Sequence, residues 1–105
     1  MAKIFTEIEL DKPRKMRFGF KIIREMDQAK DEMSKLGELD IIVRMVQYSL
    51  IEDDATVSFD QVIDLIDEYG LEYVSKKLEE TIQRDMPGLM QQLPKLQAGT
   101  IDPNA

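Results

Sequence analysis

Ile4, Thr6, Ile8 and Leu10 alternate with Lys3, Phe5, Glu7 and Glu9. This period-two pattern, with β-branched residues on one face, predicts a strand. Asp11-Lys12-Pro13 reads as a turn, and Arg14-Lys15-Met16-Arg17-Phe18 alternates again, so a short hairpin is expected. A competing reading starts a long helix at Pro13, since proline suits a first helical turn. Gly19 inside that helix would cost about 1 kcal/mol relative to alanine, which favours the hairpin. The period then changes. Phe18, Ile22, Met26, Ala29 and Met33 fall on one helical stripe ending near Gly37, broadened by Phe20 and Ile23. The stretch from Glu38 to about Ile51 is the most apolar. Leu39, Ile42, Val43, Val46 and Leu50 form one face and Ile41, Met45 and Tyr48 a second. A helix apolar on two faces is surrounded by others, so this one is expected at the centre of the core.

Glu52-Asp53-Asp54-Ala55-Thr56 is a polar connection into the sharpest local signal in the chain. Ser58 can accept from the backbone N–H of Gln61, whose side chain can reach back, a reciprocal capping box. Val57 and Val62 can close as a hydrophobic staple, and Asp60 suits the positive end of the helix dipole. Phe59, Val62, Ile63 and Ile66 then recur at helical spacing, and Gly70 supplies a stop, predicting a helix over 59–69. Leu71, Val74, Leu78 and Ile82 mark one more amphipathic helix, with Glu72–Lys76 and Glu80–Arg84 placed for i,i+4 pairing. Asp85-Met86-Pro87-Gly88 ends it. The expectation is a mainly α (α+β) domain over 1–86, about four helices with an N-terminal β-hairpin, followed by a flexible tail over 87–105 containing Pro87, Pro94, Pro103, Gly88 and Gly99.

Composition narrows the chemistry. The chain has neither cysteine nor histidine, which removes thiol catalysis, thiolate ligands, the usual general base and the commonest metal ligand. With no nucleophile–base pair in view, no enzyme is expected, and no cofactor. No apolar run approaches a bilayer span, and the first residues lack a signal peptide's apolar core, so a protein that stays where it is made is expected. The net charge is −7, unevenly spread: the first 24 residues hold 7 bases and 3 acids, the remainder 7 bases and 18 acids. Overall acidity argues against a nucleic-acid binder.

Four features are candidate sites. Thr56 to Ile66 resembles the second half of a calcium-binding loop, but Leu50, Ala55 and Gln61 stand where an oxygen ligand, the sharp-turn glycine and the bidentate carboxylate belong, so no metal is expected. Asp60, Asp64 and Asp67 share one helical face, expected to be solvated; a cation-dependent switch using Asp53, Asp54, Asp60 and Asp64 is a third, less favoured reading. The basic stretch Lys12–Arg24 is read mainly as edge-strand protection, with Arg14, Arg17 and Lys21 as candidate partner-binding residues. Met86, Leu89, Met90, Leu93 and Leu96 form a candidate exposed apolar patch, because methionine suits surfaces that adapt to a partner.

The chain resembles the tail assembly chaperones of long-tailed bacteriophages and prophages. The residues that carry the resemblance are Met16-Arg17-Phe18-Gly19-Phe20-Lys21-Ile22-Ile23-Arg24-Glu25-Met26, then Leu39-Asp40-Ile41-Ile42-Val43 through Leu50, then Val57 to Asp67, and Leu71 to Ile82. The resemblance implies a non-enzymatic protein of the bacterial host cytoplasm. Such a protein binds the tape measure protein, keeps it soluble, and leaves as the tail tube polymerises, which makes the tail tube protein a second expected partner. The alternative is a small acidic helical module that self-associates as a homo-oligomer through its basic and acidic regions.

Overall fold

The computed structural model describes residues 3–88. Strands β1 (Thr6–Glu9) and β2 (Pro13–Met16) form an antiparallel hairpin, followed by helices α1 (Phe20–Gln28), α2 (Lys30–Met33), α3 (Glu38–Leu50), α4 (Phe59–Tyr69) and α5 (Leu71–Asp85). The expected hairpin is therefore present, and five helices stand where about four were expected among the described residues. The extra one arises because the first predicted helix breaks at Ala29, whose N–H is shared between the carbonyls of Glu25 and Met26. After Met26 the stripe has only Ala29 and Met33 to bury, both half-exposed among charged neighbours, so little packing energy holds the helix straight there.

In the hairpin, Thr6 faces Met16, Glu7 faces Lys15, Ile8 faces Arg14 and Glu9 faces Pro13. Thr6, Ile8, Leu10, Arg14 and Met16 point into the molecule, and Glu7, Glu9, Pro13 and Lys15 point out. Pro13 costs the ladder nothing. It shares its parity with Lys15, whose N–H points away from β1 to Asp53, so the missing donor is one the ladder does not use.

Helix α3 packs against β2, α1, α4 and α5, and α5 also lies on β1. Its central position matches the two-faced apolar pattern: Ile41, Val43, Met45, Val46 and Leu50 are all buried. Leu39 departs from that pattern at 63% exposed, in the first turn where no neighbouring element reaches it. In α4 the buried residues are Val62 and Leu65, and Ile63, assigned to the core stripe by spacing, is 41% exposed. Phe20 departs furthest: it does not broaden the stripe of α1 but stands 80% exposed at its start.

The Ser58 cap forms as expected, its Oγ accepting from the N–H of Gln61 at 3.0 Å, with Val57 and Val62 both buried. The return bond from the Gln61 side chain is not made. Gly70 joins α4 directly to α5 with φ of 98°, a backbone conformation that favours glycine.

Candidate functional site

The basic stretch divides in two. In its first half, Arg14 sits 2% exposed on the inward face of β2. Its Nε and Nη2 donate to the two carboxylate oxygens of Asp11 at 2.8 and 3.0 Å, and its Nη1 donates to Asp54 Oδ2 at 3.3 Å. The bidentate geometry suits a guanidinium and carries both charge and orientation. Asp54 is held in turn by Thr56, whose N–H and hydroxyl both donate to Oδ1, at 2.9 and 2.5 Å. Lys12 Nζ stands 4.0 Å from Asp54 Oδ2. The Thr56 hydrogen bonds, with Arg14 and Lys12 adding positive charge, hold the Asp54 carboxyl down at about 2. The Arg14 hydrogen bond likewise lowers Asp11, and the Asp11 bond raises Arg14.

Arg17 is spent in a second pair. Its Nη1 donates to Glu52 Oε1 at 2.6 Å, and its backbone N–H donates to the Ser49 carbonyl at 2.8 Å. Glu52 Oε2 is buried without a hydrogen bond, with Lys3 Nζ beside it at 3.5 Å as an ion-pair partner. A Cβ on Gly19 would fall on Arg17 Nη1 and Glu52 Oε1, so the glycine lets the chain pass under this pair without displacing the two side-chain ends.

Each free edge of the hairpin has a strand N–H bonded from elsewhere in the chain. Asp53 Oδ2 accepts the Lys15 N–H at 3.2 Å on the β2 side, and the Tyr73 hydroxyl accepts the Glu9 N–H at 3.0 Å on the β1 side. Edge protection thus comes from fixed partners as well as from the charged side chains expected to supply it. At the C-terminal end of α5, Arg84 donates to Asp85 at 2.9 and 3.0 Å, to Thr6 Oγ1 at 2.7 Å and to the Met16 carbonyl at 3.3 Å. Asp85 Oδ2 accepts the Phe18 N–H at 2.9 Å. Burial pushes the Asp85 carboxyl up, but the Arg84 and Phe18 hydrogen bonds and the charges of Arg84 and Arg17 outweigh it and hold the group below its ordinary range. Arg84 is therefore committed to the hairpin, and neither Glu80–Arg84 nor Glu72–Lys76 forms an ion pair among the described residues.

The second half of the stretch is different. Lys21 and Arg24 are exposed on α1, beside the exposed Phe20, and neither forms an ion pair among the described residues.

Of the residues proposed for partner binding, Arg14 and Arg17 are thus engaged inside the molecule and Lys21 faces solvent. Met86 is buried in the core rather than part of an exposed patch, because α5 ends against the hairpin and carries it inward. Leu89, Met90, Leu93 and Leu96, with the tail proposed from 87, lie outside the described residues apart from Pro87 and Gly88. Asp60, Asp64 and Asp67 are exposed as expected. Among the described residues no three acidic side chains converge as metal ligands. Asp53 and Asp54 are taken up by Lys15, Arg14 and Thr56 instead.

The role of Glu52-Asp53-Asp54 as the hairpin's countercharge was not legible as a polar connection. Part of its signal lay in strand parity: Arg14 alternates in step with Met16 and Phe18, so a base on the buried face calls for acids, and Asp54 joins Asp11 in supplying them. No family model matches the chain, and neither a curated protein nor a solved structure matches it. Among the described residues no helix is long and apolar enough to cross a membrane.

Proposed function

We propose that this chain is a non-enzymatic tail assembly chaperone of a phage or prophage, acting in the host cytoplasm. It binds the tape measure protein, keeps it soluble during assembly, and releases it to the tail tube. The observation that carries the reading is the element order. A hairpin runs through Arg17-Phe18-Gly19-Phe20 into a helix, and a central, a capped and a last helix follow, on the residues that carry the family resemblance. An acidic chain with exposed apolar side chains suits a holdase, because charge keeps the complex soluble while apolar contacts grip the client.

Co-expression with a phage tape measure protein tests this. The soluble fraction of that protein should rise when the chain is present, and an unchanged fraction contradicts the proposal. A second reading, a self-associating module, is favoured by one observation: exposed bases on α1 and exposed acids on α4 lie on separate elements. Association of that kind weakens with salt, as screening shortens to about 3 Å at 1 M. A mass by light scattering that does not change with salt removes it.

A further inference from the structure

Of the large apolar side chains that the described residues leave in water, Phe20 is the most exposed at 80%, followed by Ile4 at 65%. Glu52 relates the two. Lys3, next to Ile4, has its Nζ 3.5 Å from Glu52 Oε2, and Gly19, next to Phe20, passes under Glu52 Oε1. Both apolar residues therefore stand one position from a Glu52 contact, at the same end of the hairpin. Lys21 and Arg24 accompany Phe20 on α1, whose first turn contains no acid. Glu25 follows them without pairing to either.

This local charge is unusual for the chain. Of the bases in the first 24 residues, Lys3, Lys12, Arg14 and Arg17 are held by Glu52, Asp54 or Asp11, and Lys15 Nζ stands over the Phe5 ring at 5.8 Å, so contacts inside the fold take up much of the N-terminal basic excess. What remains at the start of α1 is an exposed phenylalanine with two bases that form no ion pair among the described residues, on an otherwise acidic protein. The opposite combination occurs on α4, where exposed Ile63 is surrounded by Asp60, Asp64 and Asp67.

We infer that the start of α1, through Phe20, Lys21 and Arg24 with Ile4 alongside, is the surface that grips the client, and that it takes an acidic amphipathic segment. Apolar side chains of that segment cover Phe20 and Ile4, and its carboxylates meet Lys21 and Arg24. An exposed aromatic beside an arginine is the composition of binding hot spots, and the charge pairs set which segments are accepted. The acidic face of α4 repels the same segment, which fixes the side of the molecule it approaches. The inference rests on the chaperone reading above and names the surface that reading leaves open.

Peptides tiling the tape measure protein, titrated against the full chain by fluorescence anisotropy, test it alongside the co-expression assay. Binding should concentrate in net-negative peptides with an apolar stripe. The variant carrying Phe20→Ala, Lys21→Glu and Arg24→Glu, with its fold checked by circular dichroism, should bind them about 30-fold more weakly, the size of a hot-spot loss. Preference for basic peptides, or unaltered binding by the variant while co-expression still solubilises the client, overturns the surface and leaves the chaperone reading standing. A fall in the mass of the chain alone on making the variant assigns the surface to a second copy and also overturns it. If no peptide binds and the client stays insoluble, the chaperone reading falls and the inference with it.

Discussion

Lys12–Arg17 and Lys21–Arg24 are neighbouring runs of the same charge, yet the fold treats them in opposite ways. Arg14 is buried in a bidentate pair and Arg17 is paired over Gly19, whereas Lys21 and Arg24 are exposed beside an exposed phenylalanine and form no ion pair among the described residues. The difference is one of geometry. In the strand, alternation directs Arg14 inward with Ile8 and Met16, and Asp11 of the hairpin turn together with Asp54 of the loop after α3 supplies the acids that burial demands. On α1, Ile22 and Met26 take the inward stripe, which turns Lys21 and Arg24 outward. A run of bases is therefore not one feature: its first part holds the fold together and its second part remains available.

The largest effect that could break this comparison is on stability. Arg14→Ala removes a buried side chain together with its hydrogen bonds to Asp11 and Asp54 and should cost roughly 1 to 3 kcal/mol in urea denaturation, while Arg24→Ala should cost under about 0.5 kcal/mol. Equal losses would mean that the two halves do not differ. Acid should act on the same pairs. Asp11, Asp54 and Asp85 all hold their carboxyls below the ordinary value, Asp54 at about 2. Between those values and the ordinary range the unfolded chain binds more protons than the folded one. The stability these groups contribute is therefore complete above about pH 4 and drains away as the pH falls through about 2. Far-UV circular dichroism from pH 5 to pH 1.5 (roughly the span over which carboxyls titrate) should show that decline, and Asp54→Asn should flatten it.

Smaller changes sharpen the boundary between the halves. Gly19→Ala puts a methyl on the Arg17–Glu52 pair, whose side-chain ends must shift, at a cost of about 1 kcal/mol, the scale of a partly exposed ion pair. Since Gly19 has φ of −75°, an ordinary backbone, that loss would report the pair and not strain. Ser58→Ala should cost about 1 kcal/mol as a lost cap and leave client binding unchanged, because α4 lies outside the proposed surface. A binding defect in that variant would extend the surface to α4.

Much of the fold was legible because local rules and packing agreed. The turn at Asp11-Lys12, with Pro13 already the first residue of β2, the two-faced run of α3, the Ser58 cap and the Gly70 joint appear where spacing places them. What was not legible depended on distant residues. Periodicity assigned Phe20, Leu39 and Ile63 to buried stripes, but no neighbouring element covers them, and a one-dimensional pattern cannot report a missing neighbour. The partnership of Arg14 with Asp54 spans 40 positions in sequence, and so does not register as a charge pattern along one element. The candidate surface was half visible: Lys21 was chosen for its charge, while Phe20 was hidden by its assignment to the core.

Amide hydrogen exchange of the chain with and without bound tape measure protein tests the central claim most directly. The account predicts slowed exchange over α1, Phe20–Gln28, with α4, Phe59–Tyr69, unchanged. Slowed exchange confined to α4, or none at α1, contradicts it.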